Sequence, residues 1–276
     1  MKKPGIYLII CMLFAVKAIG QDAQDRFEFP LWKANMSNRL FITIATGDIK
    51  VIGHHERKFV VMFYPHNAAK NIIVKKDSIV NGVPKLIRYG SFINMTYDDN
   101  TVSLRNLFHD SIPAIDVVIY VPYETNLKLK INKRGNISVK NVKGNLDLNN
   151  SMGSIDAEQI SGSVVALAYN KPIRIQFDQL SESKPSHITG LNKAVSVWLP
   201  PAPSVTLKLK TAKGKIHSDL GAAFSQVREP GKGNSSFEDL WSKAILNGGR
   251  ANLTIQSRYG NINIHTGDKL PTQLQF

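Results

Sequence analysis

The chain has 276 residues, 43% hydrophobic and 8% aromatic, with a single cysteine, and 35 Lys and Arg against 21 Asp and Glu give it a formal charge of +14. This composition excludes a disordered tail, a collagen and a disulfide scaffold. One cysteine can make neither an intrachain disulfide nor a cysteine-based zinc site, and so large a positive surplus raises the question of an acidic partner.

The first segment reads as an address. Lys2 and Lys3 precede an apolar run from Ile6 to Val16, and Ala18 and Gly20 supply small residues before a cut. This pattern predicts a signal peptide over 1–20, cleaved after Gly20. The run is shorter than the ~20 residues of a membrane span, and Cys11 follows the bulky Ile10, which argues against lipid attachment. Cleavage removes Lys2, Lys3, Lys17 and the cysteine, lowering the charge from +14 to +11. The mature chain carries no further apolar segment long enough to span a bilayer, so it is expected to be exported, to the periplasm or the cell surface.

Residues 21–38, with Trp32, are expected to form an N-terminal segment or cap. Residues 39–64 predict two strands joined by a turn over 53–57 that holds His54 and His55. Residues 85–105 predict two strands around the Asp98-Asp99-Asn100 turn, and 115–121 one more.

A repeat follows. Gly135, Gly144, Gly153 and Gly162 are spaced nine apart, and each opens one phrase: glycine, a small or polar residue, an aliphatic, any residue, an apolar one. Lys171-Pro172-Ile173 keeps the register without the glycine, and isolated copies begin at Gly47, Gly214 and Gly260. Apolar residues two apart line one face of a strand, and a glycine supplies the corner before it. Such a unit buries its apolar face only by stacking on neighbours. The position two before each glycine alternates (Lys133, Val142, Ser151, Ile160), which pairs the nine-residue units into coils of eighteen. The expected fold is therefore all-β: an elongated, β-solenoid-like stack of two sheets. The position three before each glycine (Asn132, Asn141, Asn150, Gln159) predicts either stacked amides or turn-tolerant residues.

A longer repeat frames this core. Tyr120-Val121-Pro122 leads to Leu127-Lys128-Leu129-Lys130 and Gly135, and Trp198-Leu199-Pro200 leads to Leu207-Lys208-Leu209-Lys210 and Gly214. Residues 39–268 are read as one domain, interrupted by an insertion over 219–248 in which Phe237 to Trp241 predicts a helical turn or two, and 269–276 as a tail.

The Gly-x-Ile-x-Val corners, the strand-proline leaders over 117–122 and 195–200 and the closing Gly260-Asn261-Ile262-Asn263-Ile264 resemble the bacterial β-strand-repeat "putative adhesin" family, a domain of unknown function. The resemblance covers roughly residues 40–265. It implies an extended β-solenoid-like fold in the cell envelope and supplies no catalytic residues. The missing glycine at Lys171 and the 219–248 insertion depart from it.

Motifs of chemistry are sparse. A nonapeptide calcium solenoid needs paired glycines and a regular aspartate; these units have one glycine, and only Asp147 and Asp156 fall inside them. His54-His55 lacks the spacing of a helix-borne metal site and reads as a solvated turn. Nucleophile elbows, zincin motifs and phosphate loops are absent from the sequence, so no cofactor and no metal are expected. Asp98, Asp99 and Asp110 are the carboxylates a glycan-acting hydrolase or lyase would use, and turn preference explains them more simply. Lys128, Lys130, Lys133 and Arg134, with Lys208, Lys210, Lys213 and Lys215 in the second pass, form a basic stripe if the two passes lie side by side. That stripe would face an envelope glycan or an anionic surface, or serve only as a solvated lysine face. The expected role is a non-enzymatic envelope scaffold contacting surfaces, glycans or another envelope protein. Export and the lack of an aromatic-interleaved basic motif argue against nucleic acid.

Overall fold

The alternating segments are strands, and their apolar halves meet between two sheets. The computed structural model describes residues 25–65, 74–80, 83–89, 93–106, 114–221, 224–228 and 240–267. The N-terminal part holds β1 (Asp25–Pro30), β2 (Asn38–Ile44), β3 (Ile49–His54), β4 (Lys58–Pro65), β5 (Val74–Val80) and β6 (Val83–Tyr89). It continues through β7 (Ile93–Asp98), β8 (Thr101–Asn106) and β9 (Ile115–Pro122). The repeat gives β10 (Thr125–Ile131), β11 (Ile137–Val142), β12 (Leu146–Asn150), β13 (Ile155–Gly162), β14 (Val164–Ala168) and β15 (Ile173–Leu180). Then follow β16 (Ser186–Gly190), β17 (Val195–Leu199), β18 (Val205–Thr211) and β19 (Ile216–Ser218). The chain ends with β20 (Ser225–Arg228), β21 (Leu240–Leu246), β22 (Ala251–Ser257) and β23 (Ile262–Thr266).

Sheet A has 10 strands in the order β1-β4-β9-β3-β11-β13-β15-β17-β23-β19, and sheet B has 13 in the order β20-β21-β18-β22-β16-β14-β12-β10-β2-β8-β7-β6-β5. No helix occurs among the described residues. The middle of both sheets is parallel. Ile137 pairs with Ile155, and Ile155 with Ile173, so each central coil advances 18 residues, as the sequence predicts.

Each coil is a strand of sheet B followed by one of sheet A. Along the stack the coils run β8/β9, β2/β3, β10/β11, β12/β13, β14/β15, β16/β17, β22/β23, β18/β19; they are numbered 1 to 8 in that order below. Sequence order is broken twice. The chain goes from β9 in coil 1 to β10 in coil 3, stepping over coil 2. It goes from β17 in coil 6 to β18 in coil 8, leaving a gap that β22/β23 returns to fill. The two steps are the proline corners after Val121 and Leu199, so the longer sequence repeat marks the places where the chain skips a coil.

One inward column of sheet A is Ile49, Ile137, Ile155, Ile173, Val195 and Ile262, all fully buried. Sheet B opposes it with Leu129, Leu148, Ala166, Ile188, Ile255 and Leu209. Burying each large aliphatic side chain contributes ~1.5–3 kcal/mol. Antiparallel strands close three of the four sheet edges: β4 and β1 beside β9, β7, β6 and β5 beside β8, and β21 and β20 beside β18. They turn the open end of a parallel ladder into a differently paired edge.

Three expectations need correction. Residues 39–64 hold three strands, not two, because the Gly47 corner divides them; the turn at 53–57 stands. Residues 85–105 contribute to three strands, with the hairpin at Asp99-Asn100 as expected. Leu240 and Trp241 open β21 instead of a helical turn, since they pair with Arg228 and Val227 in an antiparallel ladder; residues 237–239 lie outside the described residues. So do the signal segment 1–20, Asp110 and the tail 269–276.

Candidate functional site

The glycine corners are tightly crowded by the backbone of the neighbouring coil. A Cβ on Gly135 would lie 1.9 Å from the carbonyl oxygen of Gly47, and one on Gly153 would lie 1.7 Å from that of Gly135. Gly260 and Gly214 meet the carbonyls of Lys193 and Gly260 in the same way. On the opposite edge, Gly144 and Gly162 meet those of Thr125 and Gly144.

Side chains close these corners. Asn150, fully buried, accepts from Gly153 N (2.9 Å) and donates Nδ2 to the carbonyls of Gly135 (3.0 Å) and Ser154 (2.9 Å). Thr211 and Ser257 accept from Gly214 N and Gly260 N, each at 3.0 Å. The position three before a corner glycine is thus a cap. The polar ladder itself runs one residue after the glycine: Asp48 Oδ1 accepts from Asn136 N (2.7 Å), and Asn136 Oδ1 from Ser154 N (3.1 Å). Asn141 and Gln159 instead adopt left-handed backbone, at φ 59° and 55°, which is the turn-tolerant reading for those two.

The two lysine passes do not lie side by side. β10 and β18 share sheet B, but β12, β14, β16 and β22 separate them, about 24 Å at the usual strand spacing. The row from Lys128 to Lys208 reads Asp147, Val165, His187 and Thr254 in between. Lys128 Nζ pairs with Asp147 Oδ2 at 3.0 Å, and Lys210 Nζ sits 5.2 Å from the centre of the Trp241 ring. Lys130 is exposed beside Asn149. The strand faces therefore carry two separate basic patches.

Lys133, Arg134, Lys213 and Lys215 are elsewhere, on the edge where sheet B turns into sheet A. Backbone hydrogen bonds join these corners from coil to coil: Lys133 N to Ala45 O (2.9 Å), Asn192 N to Tyr169 O (3.0 Å), Tyr259 N to Leu191 O (2.9 Å) and Lys213 N to Arg258 O (3.0 Å). This column brings in Lys171, Lys193 and Arg258, which sequence reasoning did not assign, and all three are exposed. The signal was the repeat register itself: Lys171 and Lys193 occupy the corner-glycine position of coils 5 and 6. Tyr169 (40% exposed) and Tyr259 (45%) stand among the cations, and Met152 (49%) at coil 4. Lys213 Nζ and Arg258 Cζ each lie 5.3 Å from the Tyr259 ring centre. The corner residues of coils 3 to 8 include no aspartate or glutamate.

Several carboxylates, Asp99 and Asp156 among them, are held in structural pairs. Asp99, at the β7–β8 hairpin, bonds Lys33 and holds its ammonium above the usual lysine range. Asp156 bonds Arg174 and the Ser154 hydroxyl (2.9 Å), and Glu158 pairs with Lys140 at 3.2 Å, on the outer face of sheet A. His54 Nε2 lies 2.9 Å from the Lys58 carbonyl. Lys58 bridges Glu56 (2.9 Å) and Glu28 (3.0 Å), which hold its ammonium above its ordinary range; Arg26 and then Lys58 hold the Glu28 carboxyl below its own. An open groove of about 490 Å³ beside the first proline corner is lined by His54, His55, Glu56, Arg57, Tyr123 and Glu124, among others. Among the described residues no three His, Cys, Asp or Glu side chains form a metal-binding group, and no helix is long and apolar enough to cross a membrane.

No family model matches this chain, and no curated protein matches it. Among solved structures it is similar to a "putative cell adhesion protein" of Clostridium sporogenes, at 10% identity and a TM-score of 0.42, covering 88% of this chain and 99% of that one. It is also similar to a "putative adhesin" of Bacteroides fragilis, at 10% identity and a TM-score of 0.29, covering 88% and 98%.

Proposed function

We propose that this chain is a non-enzymatic, exported scaffold of the bacterial cell envelope that acts in the manner of an adhesin, holding a surface, a glycan or another envelope protein. One observation carries the reading: the outward polar side chains are set out in registered rows along a rigid stack, most of them half-buried between their neighbours. On sheet A the outward row Lys50, Ser138, Asp156, Arg174, Ser196 and Asn263 crosses six coils in strict register. A row repeated at the strand spacing suits contact with an extended partner, whereas an enzyme needs groups converging on one atom. Of the carboxylates a glycan hydrolase would use, Asp99 is engaged with Lys33 at a hairpin. The signal over 1–20 and the resemblance of the corner motifs to an envelope family support the location.

The test is recovery of the tagged mature chain from its own envelope, with bound partners identified at low and high salt. Retention on the envelope fraction, unchanged in Asp98→Asn and Asp99→Asn variants, is expected. A chain found wholly in the soluble fraction, or one that cleaves envelope glycan and loses the cleavage on those substitutions, overturns the reading.

A further inference from the structure

The charge of the mature chain is unevenly placed. On the edge where sheet A turns into sheet B, Arg57, Lys143, Lys184 and Arg250 are interspersed with Glu56, Glu124 and Glu182, and Arg250 pairs with Glu182 at 3.2 Å. The glycine edge has Lys133 and Arg134 on coil 3, Lys171 on coil 5, Lys193 on coil 6, Arg258 on coil 7 and Lys213 and Lys215 on coil 8, with no carboxylate in those corners. All seven are exposed. The column is straight because the corners are hydrogen-bonded one on the next, and it runs about 24 Å from coil 3 to coil 8.

We infer that this ridge is a binding site for a linear acidic polysaccharide lying along the stack axis, a proposal that rests on the scaffold reading above and names its ligand. A single line of cations neutralises a chain of charges, while a membrane surface would engage a broad basic face, and the face patches at Lys128 and Lys208 are separated by Asp147, Val165, His187 and Thr254. The exposed aromatics are spaced to match such a chain. Tyr169 and Tyr259 stand two coils apart, about 10 Å, the length of one disaccharide in an extended glycan. Phenol rings present an apolar face to the C–H face of a sugar and a hydroxyl to its polar rim. Lys213 and Arg258 lie over the Tyr259 ring, so a uronate that reaches the edge and hydroxyl of this phenol meets positive charge next to its carboxylate. The corner backbone is also rigid, so ordering the site costs little on binding.

The experiment uses the mature chain with polygalacturonate as the acidic glycan, dextran as the neutral one, and phosphatidylglycerol–phosphatidylcholine vesicles as the anionic surface. Polygalacturonate is expected to bind, with affinity falling steeply as salt rises because each ion pair formed releases counterions. The ridge variant K171Q/K193Q/K213Q/K215Q should weaken binding by about tenfold or more and flatten the salt dependence. The face variant K128Q/K130Q should stay within about twofold. Tyr259→Ala should weaken binding with the salt dependence unchanged. Equal losses in the ridge and face variants, equal binding of dextran, or ridge-dependent binding of vesicles without polygalacturonate overturns the proposal. Wild-type protein retained on its envelope but blind to polygalacturonate sinks the ridge alone; failure of retention sinks the scaffold reading as well.

Discussion

Gly153 lies directly against Gly135 of the preceding coil: a Cβ built on Gly153 would sit 1.7 Å from the Gly135 carbonyl oxygen. The obstacle is backbone of a neighbouring coil, which cannot swing aside as a long side chain can. Gly153→Ala therefore forces coils 3 and 4 apart at one edge and strains the Asn150 cap, which bonds both coils. A loss of more than about 2 kcal/mol is expected in urea unfolding. Gly221→Ala is the control. That residue has positive φ (61°) but open space around the site of its Cβ, so only the left-handed strain of ~1–2 kcal/mol applies. Equal costs for the two substitutions would refute the crowding argument.

Local signals in the sequence were legible. The nine-residue glycine phrase, its pairing into eighteen and the inward aliphatics all depend on residues close in the chain, and Ile137, Ile155 and Ile173 stack as expected. What was not legible is non-local. The proline leaders before Lys128 and Lys208 were visible as a repeat, but nothing near them says that a distant strand pair fills the gap they span. Whether the two passes lie side by side was therefore open in the sequence, which groups the basic residues by strand, whereas coil stacking groups Lys133 and Lys213 with Lys171 and Lys193 along an edge. Residues 39–64 hold one strand more than their alternation suggests, because the isolated Gly47 phrase is a full corner without a neighbouring copy nine residues away to mark it.

The skipped coils give a prediction about unfolding. Repeat arrays ordinarily fray from their ends, since each unit contacts only its neighbours. Here coil 2 (β2/β3) lies between β9 and β11 in sheet A and between β8 and β10 in sheet B, so strands later in the chain hold it on both sides. Coil 7 is held on both sides too, by strands earlier in the chain, β16/β17 and β18/β19. Amide exchange followed by mass spectrometry should show β3 and β22 protected as strongly as the central β12. Exchange graded inward from both ends would mean that the interlock contributes no cooperativity.

The outer face of sheet A supports a charge test. The Asp156 side chain is 12% exposed and that of Arg174 37%. Arg174→Met leaves a largely buried carboxylate with only the Ser154 hydroxyl, which should cost ~1–3 kcal/mol. Adding Asp156→Val removes the orphaned charge from the same strand row and should recover most of that loss. A double variant as unstable as the sum of its single changes would show that the pair is not the coupling unit.

Tyr97 gives the pH prediction. It is buried against Phe29, with ring centres 5.0 Å apart, and its hydroxyl donates to the Pro30 carbonyl. Burial, and then the nearby Asp98 charge, push its hydroxyl up to about 12 from the ordinary 10.0. The folded state thus holds the phenol proton more tightly than the unfolded chain. This contribution is complete below pH ~10 and is lost as pH rises toward ~12, on the order of 2 kcal/mol in all. Tyr97→Phe keeps the ring packing and abolishes this ionisation, at the cost of one hydrogen bond. Its stability should be lower by ~1 kcal/mol at neutral pH, and its alkaline decline shallower than that of the wild type between pH ~10 and ~12. Parallel alkaline curves for the two proteins would place the phenol outside the linkage and leave the β1–β7 contact resting on ring packing alone.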